Sequence, residues 1–161
     1  MEWTDVAVRR ATPLDAEGLG ELRVALALED GAGFDAAHYR RRCHAFFERA
    51  VAAEDVVAWL ACDDRSAVGM AVLELRPTLP RARSKSHPTV DARVRSVYIV
   101  PQFRRRGIAT RLMRAAIEEA VRRRIDRLTL GASEMGLPLY EGLGFVLRAR
   151  EMIYGIDPDR H

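Results

Sequence analysis

An α/β fold is predicted for this 161-residue chain by three observations. Short β-prone runs and longer segments of helical period follow one another in the order β-α-α-β-β-β-α-β-α-β-β, a mixture that neither an all-β nor an all-α protein shows. Two apolar runs, residues 56–62 and 68–75, flank a polar turn at 63–66, which is a hairpin signal. A third apolar run reaches Pro101, passes through an Arg-rich turn and enters a helix at Gly107, so that a strand and a helix meet across one short basic connection.

Each element has its own signal. Residues 6–9 read as the first strand. Thr12-Pro13-Leu14-Asp15 then supplies an N-cap, a proline at the first helical position and an acid at N3. The helix that follows carries Leu19, Leu22 and Leu26 and ends near Glu29, and Gly31 and Gly33 break it from a second helix over 36–53. After the hairpin, residues 79–91 form a Pro, Ser and Arg loop, and 93–100 form the fourth strand. The helix from Gly107 places Ile108, Leu112, Met113, Ala116, Ile117, Ala120 and Val121 on one face for packing on the sheet. Arg122, Arg123 and Arg124 end it, where cations suit the helix dipole, and Glu118 and Glu119 stand four residues before Arg122 and Arg123. Strands are expected at 128–130, 145–150 and 152–156, with a short helix between the first two. No internal repeat is visible.

Composition narrows the function classes. With 48% hydrophobic and 30% charged residues the chain reads as one soluble domain over 1–161, large enough for a core without metal or disulfide support. The longest apolar run is far too short to span a bilayer, and residues 1–5 lack the pattern of a signal peptide, so no membrane partner and a cytoplasmic location are expected. Cys43 and Cys62 sit in apolar segments without a pairing pattern and read as reduced thiols. The histidines lack ligand spacing: His38 and His44 fall on different faces of one helix, and no metal is expected. The net charge of +3 is spread over basic clusters interspersed with acids and without interleaved aromatics, which argues against nucleic acid. Monomer and homodimer both stay open.

The basic turn carries the chemistry. The first turn of a helix holds backbone N–H groups without intrahelical acceptors, and the dipole adds about half a positive charge there. Phosphate is the natural occupant. Gly107 and Ala109 let a diphosphate approach the backbone, and Arg104, Arg105 and Arg106 supply attraction. Neither of the common phosphate-loop patterns fits around Gly107. The run Arg104-Arg105-Arg106-Gly107-Ile108-Ala109 instead resembles R/Q-x-x-G-x-G/A, the acyl-CoA pyrophosphate motif of the GCN5-related N-acetyltransferases. Some thirty residues on, L-P-L-Y-E-G-L-G-F at 137–145 resembles that family's second signature, a short helix carrying Y-x-x-x-G-F after a strand. Gly144 stands where a helix needs a left-handed C-terminal residue.

The resemblance covers nearly the whole chain and implies a mixed, mostly antiparallel, twisted sheet of six to seven strands flanked by about four helices. It implies acetyl-CoA as cofactor, bound by the turn through Arg104, Arg105, Arg106, Gly107, Ile108, Ala109 and Thr110. The fourth strand, through Val97, Tyr98, Ile99 and Val100, would then receive the pantetheine arm like an added strand. It implies Tyr140 as the acid that protonates the leaving thiolate, and Ser133, where the family often has Asn, as a weaker cofactor contact. A backbone N–H such as that of Val97 or Tyr98 is the plausible oxyanion donor. The general base is not evident: the fourth strand has no carboxylate, which leaves Glu74, Glu29, Asp30 or water. The acceptor is a small-molecule amine or a protein amine; Glu29, Asp30 and Asp35 suit a cationic amine or simply cap helices, whereas the basic loop at 76–91 suits an acidic one. A non-catalytic acyl-CoA sensor is the alternative to an enzyme.

Overall fold

The computed structural model describes residues 5–31, 33–84 and 87–148. Packing divides the chain into two compact units, Met1–Gly131 and Ala132–His161. The first unit holds a five-stranded sheet of β1 (Ala7–Arg10), β2 (Val56–Cys62), β3 (Ala67–Pro77), β4 (Val90–Ile99) and β5 (Leu128–Leu130), in that spatial order. The first three pairings are antiparallel and β4–β5 is parallel. Its helices are α1 (Ala16–Glu29), α2 (Ala36–Ala52) and α3 (Ile108–Arg122). The second unit contains α4 (Leu137–Gly142).

The first six residues of β2 are buried, and the run is continuously apolar because both faces of the sheet are covered. On one face, Leu19 and Leu22 of α1 and Phe47 and Ala50 of α2 pack on Val56, Ala58, Leu60, Met70, Val72 and Tyr98. Strand alternation turns Val57, Trp59, Ala71, Leu73 and Val94 to the other side. There α3 lies on β2, β3 and β4, with Leu112, Met113 and Ala116 fully buried. Each buried leucine of this kind contributes about 1.5–3 kcal/mol relative to exposure.

Two irregularities shape β4. Leu73 faces Val94 and Val72 faces Ser96, so Arg95 is an extra residue in β4, a bulge that bends the strand. Gly69 faces Ile99, and a Cβ at Gly69 would stand 2.6 Å from Ile99 Cδ1, so the missing side chain lets Ile99 lie across β3.

Several expectations need correction. The described residues form five strands rather than six or seven. Residues 145–148 are not in a strand, and the expected strand at 152–156 lies outside the described residues. The fourth strand starts at Val90, within the expected loop, because β3 runs on to Pro77 and pairing with Arg76 and Pro77 holds Asp91 and Val90 extended. Val121 is 72% exposed, off the buried stripe of α3. Arg122 bonds Glu119, one turn away at i,i+3, rather than Glu118.

Glu119 receives Arg10, Arg122 and Arg123 and so ties β1 to the end of α3. Burial pushes its carboxyl up, but the hydrogen bonds from Arg122 and Arg123 and the charge of Arg10 outweigh it and hold it at about 2. A carboxyl lowered on folding stabilises the native state above its unfolded value, near 4.3, and loses that contribution as pH falls through the folded one. Glu119→Gln is therefore expected to cost about 2–3 kcal/mol in urea unfolding at pH 7 and well under 1 kcal/mol at pH 2. Equal losses at both pH values would contradict this electrostatic account.

Candidate functional site

The parallel pairing of β4 with β5 covers only Ala92, Arg93 and Val94, opposite Leu128, Thr129 and Leu130. β4 continues to Ile99 along β3, so from Ser96 onward its other edge has no strand beside it among the described residues. Backbone groups of an antiparallel strand alternate between its two edges. The Val100 N–H donates to the Val68 carbonyl at 2.9 Å. The same register turns the Tyr98 backbone toward Met70, and the backbones of Val97 and Ile99 outward to the open edge. Of the four strand residues expected to meet the pantetheine arm, only Val97 and Ile99 thus present main-chain groups there. Tyr98 is not placed to donate its N–H to an oxyanion on that side.

The chain leaves this edge through a single 3-10 turn, Pro101–Phe103, and enters the basic connection. Arg105 and Gly107 both have positive φ, 62° and 72°. Gly107 is the N-cap of α3, and a Cβ there would meet nothing within 4 Å, so the requirement for glycine is conformational and the space above the turn is open. The Arg111 N–H bonds the Gly107 carbonyl at 3.1 Å. Ile108, Ala109 and Thr110 form the first turn of a 15-residue helix, whose amides and dipole favour an anion. Open space over these amides fits a diphosphate.

The three arginines divide their work. Arg104 donates through Nε to the Ile99 carbonyl at 2.9 Å and through Nη2 to both Glu29 oxygens at 2.7 Å, with its guanidinium 5.6 Å from the Tyr98 ring centre. Arg106 donates to the Gln102 carbonyl and lies over the Phe103 ring. Arg105 is exposed and has no side-chain partner among the described residues. The charge of Arg104 is matched by Glu29. The Tyr98 hydroxyl also donates to Glu29, at 3.2 Å, which completes a cluster joining the end of α1, β4 and the turn.

In the second unit, Tyr140 lies on α4 with its ring edge-on to Phe145 at 6.2 Å. A Cβ at Gly136 would stand 2.7 Å from Tyr140 Cε2, so this glycine makes room for the ring. Burial pushes the phenol above its ordinary value, and the hydroxyl has no partner among the described residues. Ser133 Oγ accepts the Gly136 N–H at 3.2 Å and so helps set the start of α4. Gly144 adopts φ of 96°, the left-handed conformation expected of it.

The sequence pattern of the acetyltransferase (GNAT) family matches residues 22–145, most of the chain. The chain belongs to the GNAT acetyltransferase family. No curated protein matches its sequence. Solved structures share its fold. A GCN5-related N-acetyltransferase from Ralstonia eutropha JMP134 is 26% identical, with a TM-score of 0.76, covering 94% of this chain and 99% of its own. A predicted acetyltransferase with acetyl-CoA from Clostridium acetobutylicum is 22% identical, with a TM-score of 0.82, covering 94% of this chain and 96% of its own. The aminoglycoside N-acetyltransferase AAC(6')-Iy, in complex with CoA, is 19% identical, with a TM-score of 0.74, covering 96% and 97%.

Within this GNAT chain two of the three candidate carboxylates, Glu29 and Glu74, are engaged by arginines. The hydrogen bond from Arg104, opposed by some burial and aided by Tyr98, holds Glu29 below the carboxylate range. Glu74 is pushed up by burial, but Arg95 and Arg76 bond it and leave it lowered overall. Asp35 accepts the His38 N–H and caps α2. A carboxylate held ionised by guanidinium partners is a poor proton acceptor. Asp30 is the C-cap residue of α1. Among the described residues no three His, Cys, Asp or Glu side chains gather as a metal site, and no helix is long and apolar enough to cross a membrane.

The Gly107 conformation yields a stability test. Gly107→Val is expected to cost about 1–2 kcal/mol in denaturant unfolding, while Gly107→Asn, which tolerates positive φ, costs less than half as much. Equal costs would contradict a purely conformational requirement.

Proposed function

We propose that the protein is an acetyl-CoA-dependent N-acetyltransferase acting on a primary amine, with Tyr140 as the general acid. The observation that carries this reading is the open edge of β4 leading straight into the N-terminal turn of α3. In it, the amides of the turn from Arg105 to Thr110 hold the diphosphate, with Arg105 adding its free charge, and the outward main-chain groups of Val97 and Ile99 bond the pantetheine amides. Arg104 acts as a positioning residue, since its side chain is spent on Glu29 and Ile99. Ser133 supports α4 beside its weaker part in cofactor contact.

Acetyl-CoA supplies an acyl group activated as a thioester. The ammonium first gives one proton to water; the neutral amine then forms the C–N bond as the C–S bond breaks and gives up a second proton to water, while the sulfur gains one. An amine with a pKa near 10.4 is only about one part in two thousand neutral at pH 7, so its proton must be removed before attack. With Glu29 and Glu74 held ionised by arginines, the proton leaves through water. The outward Val97 N–H stabilises charge on the carbonyl oxygen. Tyr140 Oη gives its proton to the leaving sulfur and is reprotonated from solvent. The raised phenol pKa keeps that proton in place through neutral pH.

On this reading the acceptor is a small-molecule amine, with a protein amine as the alternative. The free thiols of Cys43 and Cys62 support a reducing, cytoplasmic setting. A non-catalytic acyl-CoA sensor is the second reading, favoured by the engagement of Glu29 and Glu74, two of the three candidate carboxylates.

Acetyl-CoA at about 100 times Kd is expected to stabilise the protein by about 2.7 kcal/mol, or about 5–10 °C. Tyr140→Phe should keep that shift while lowering kcat by about 100-fold or more. Loss of kcat through ionisation of Tyr140 in the wild type is expected only above pH of about 10. No thermal shift would overturn the cofactor assignment, and an unchanged kcat in Tyr140→Phe would remove Tyr140 as the acid. A shift without turnover on any amine would favour the sensor.

A further inference from the structure

The sheet face that carries the α1–α2 core changes character beyond Val72 and Ser96. There, alternation brings Glu74 of β3, Arg93 of β4 and Thr129 of β5 into one row across the sheet. Glu74 stands directly opposite Arg93 but does not bond it. Its carboxylate receives Arg76 at 2.9 Å and Arg95 at 2.5 Å instead. Arg93, half-buried, reaches only the Thr129 hydroxyl, at 3.4 Å, among the described residues. Three guanidiniums thus stand beside one carboxylate that bonds only two of them, and the most sheltered, Arg93, has no counter-ion among the described residues. Arg81 of the preceding loop is matched by Asp91 and Asp126.

A half-buried guanidinium without an anion is an unfavourable arrangement that a bound anion relieves, and its planar fork suits a carboxylate or a phosphate. The position is also informative. Arg95 is two residues and Arg93 four residues from Val97 on the same strand, which is about 7 and 13 Å along β4. A small molecule anchored on these arginines can present another of its groups to the open edge. Of the three acids that would draw a cationic amine, Glu29 is engaged by Arg104 and Asp35 by the N-terminus of α2.

We propose that the acceptor is a small amine carrying a carboxylate or a phosphate, held by Arg93 with Arg95 and Arg76 beside it. This rests on the acetyltransferase reading, and it assigns to Arg93 and Arg95 a part in acceptor recognition rather than in holding acetyl-CoA.

The test is release of free thiol from acetyl-CoA with acceptors in matched pairs: an α-amino acid and its amide, an amino-sugar phosphate and the amino sugar, with a polyamine as the cationic control. The anionic member of at least one pair is expected to show kcat/KM at least ten-fold above its neutral counterpart. Which pair shows it distinguishes carboxylate from phosphate. Arg93→Gln and Arg95→Gln should each raise KM for that acceptor while leaving the thermal shift with acetyl-CoA unchanged, and the loss should be larger for Arg93→Gln, at ten-fold or more. Preference for neutral or cationic members, selectivity unchanged in both variants, or no turnover of any member by a protein that acetyl-CoA stabilises would each overturn the proposal. Absence of the acetyl-CoA shift would instead overturn the transferase reading, and this proposal with it.

Discussion

A parallel pairing that stops after three residues leaves a strand with one edge satisfied and the other exposed. That is the condition of β4: bonded to β3 along its length, and bonded to β5 only at Ala92, Arg93 and Val94. Backbone N–H and C=O groups away from a partner must find water or a ligand, since leaving them unpaired in a buried setting is costly. The Ile99 carbonyl is met by Arg104. The remaining outward groups, the N–H and C=O of Val97 and the N–H of Ile99, lie at the spacing of a strand and select a ligand with amides of its own. Packing enforces this arrangement from both faces. α1 and α2 hold Tyr98 from one side, while Leu73 and Val94 face α3 on the other, so β4 is fixed while its free edge stays open.

The turn after β4 is held by a cluster that spans distant parts of the chain. Arg104 Nη2 donates to both oxygens of Glu29, and Tyr98 donates to the same carboxylate. The pair is partly exposed, so it adds little to global stability. Its consequence is geometric: Arg104 ties the end of α1 and the edge carbonyl of Ile99 to the start of the basic turn. Arg105, held at positive φ and without a partner among the described residues, is left to face solvent above Gly107. The glycine in turn gives the backbone the left-handed step from which α3 begins.

Much of this was legible in the sequence because it rests on local rules. The proline and acid after Thr12, the apolar stripe of α3, and the glycines at 107 and 144 each act within a few residues, and the structure has them in the expected roles. What was not legible depends on pairing across the chain. The early start of β4 comes from β3, not from the composition of residues 79–91. Glu29 and Arg104 are 75 residues apart, and no local pattern joins them. Likewise, that Glu74 would serve Arg76 and Arg95 and leave Arg93 without a counter-ion among the described residues follows from the bulge at Arg95, which spacing alone does not reveal.

The central claim is that the open edge of β4 is where the acyl donor adds as a strand. Hydrogen exchange of individual amides, followed by NMR with and without acetyl-CoA, tests it most directly. Tyr98 and Val100, bonded to β3, should exchange slowly in both states. Val97 and Ile99 should exchange faster in the free protein and become protected when acetyl-CoA is bound. Unchanged exchange at Val97 and Ile99 in a protein saturated with acetyl-CoA would contradict the account.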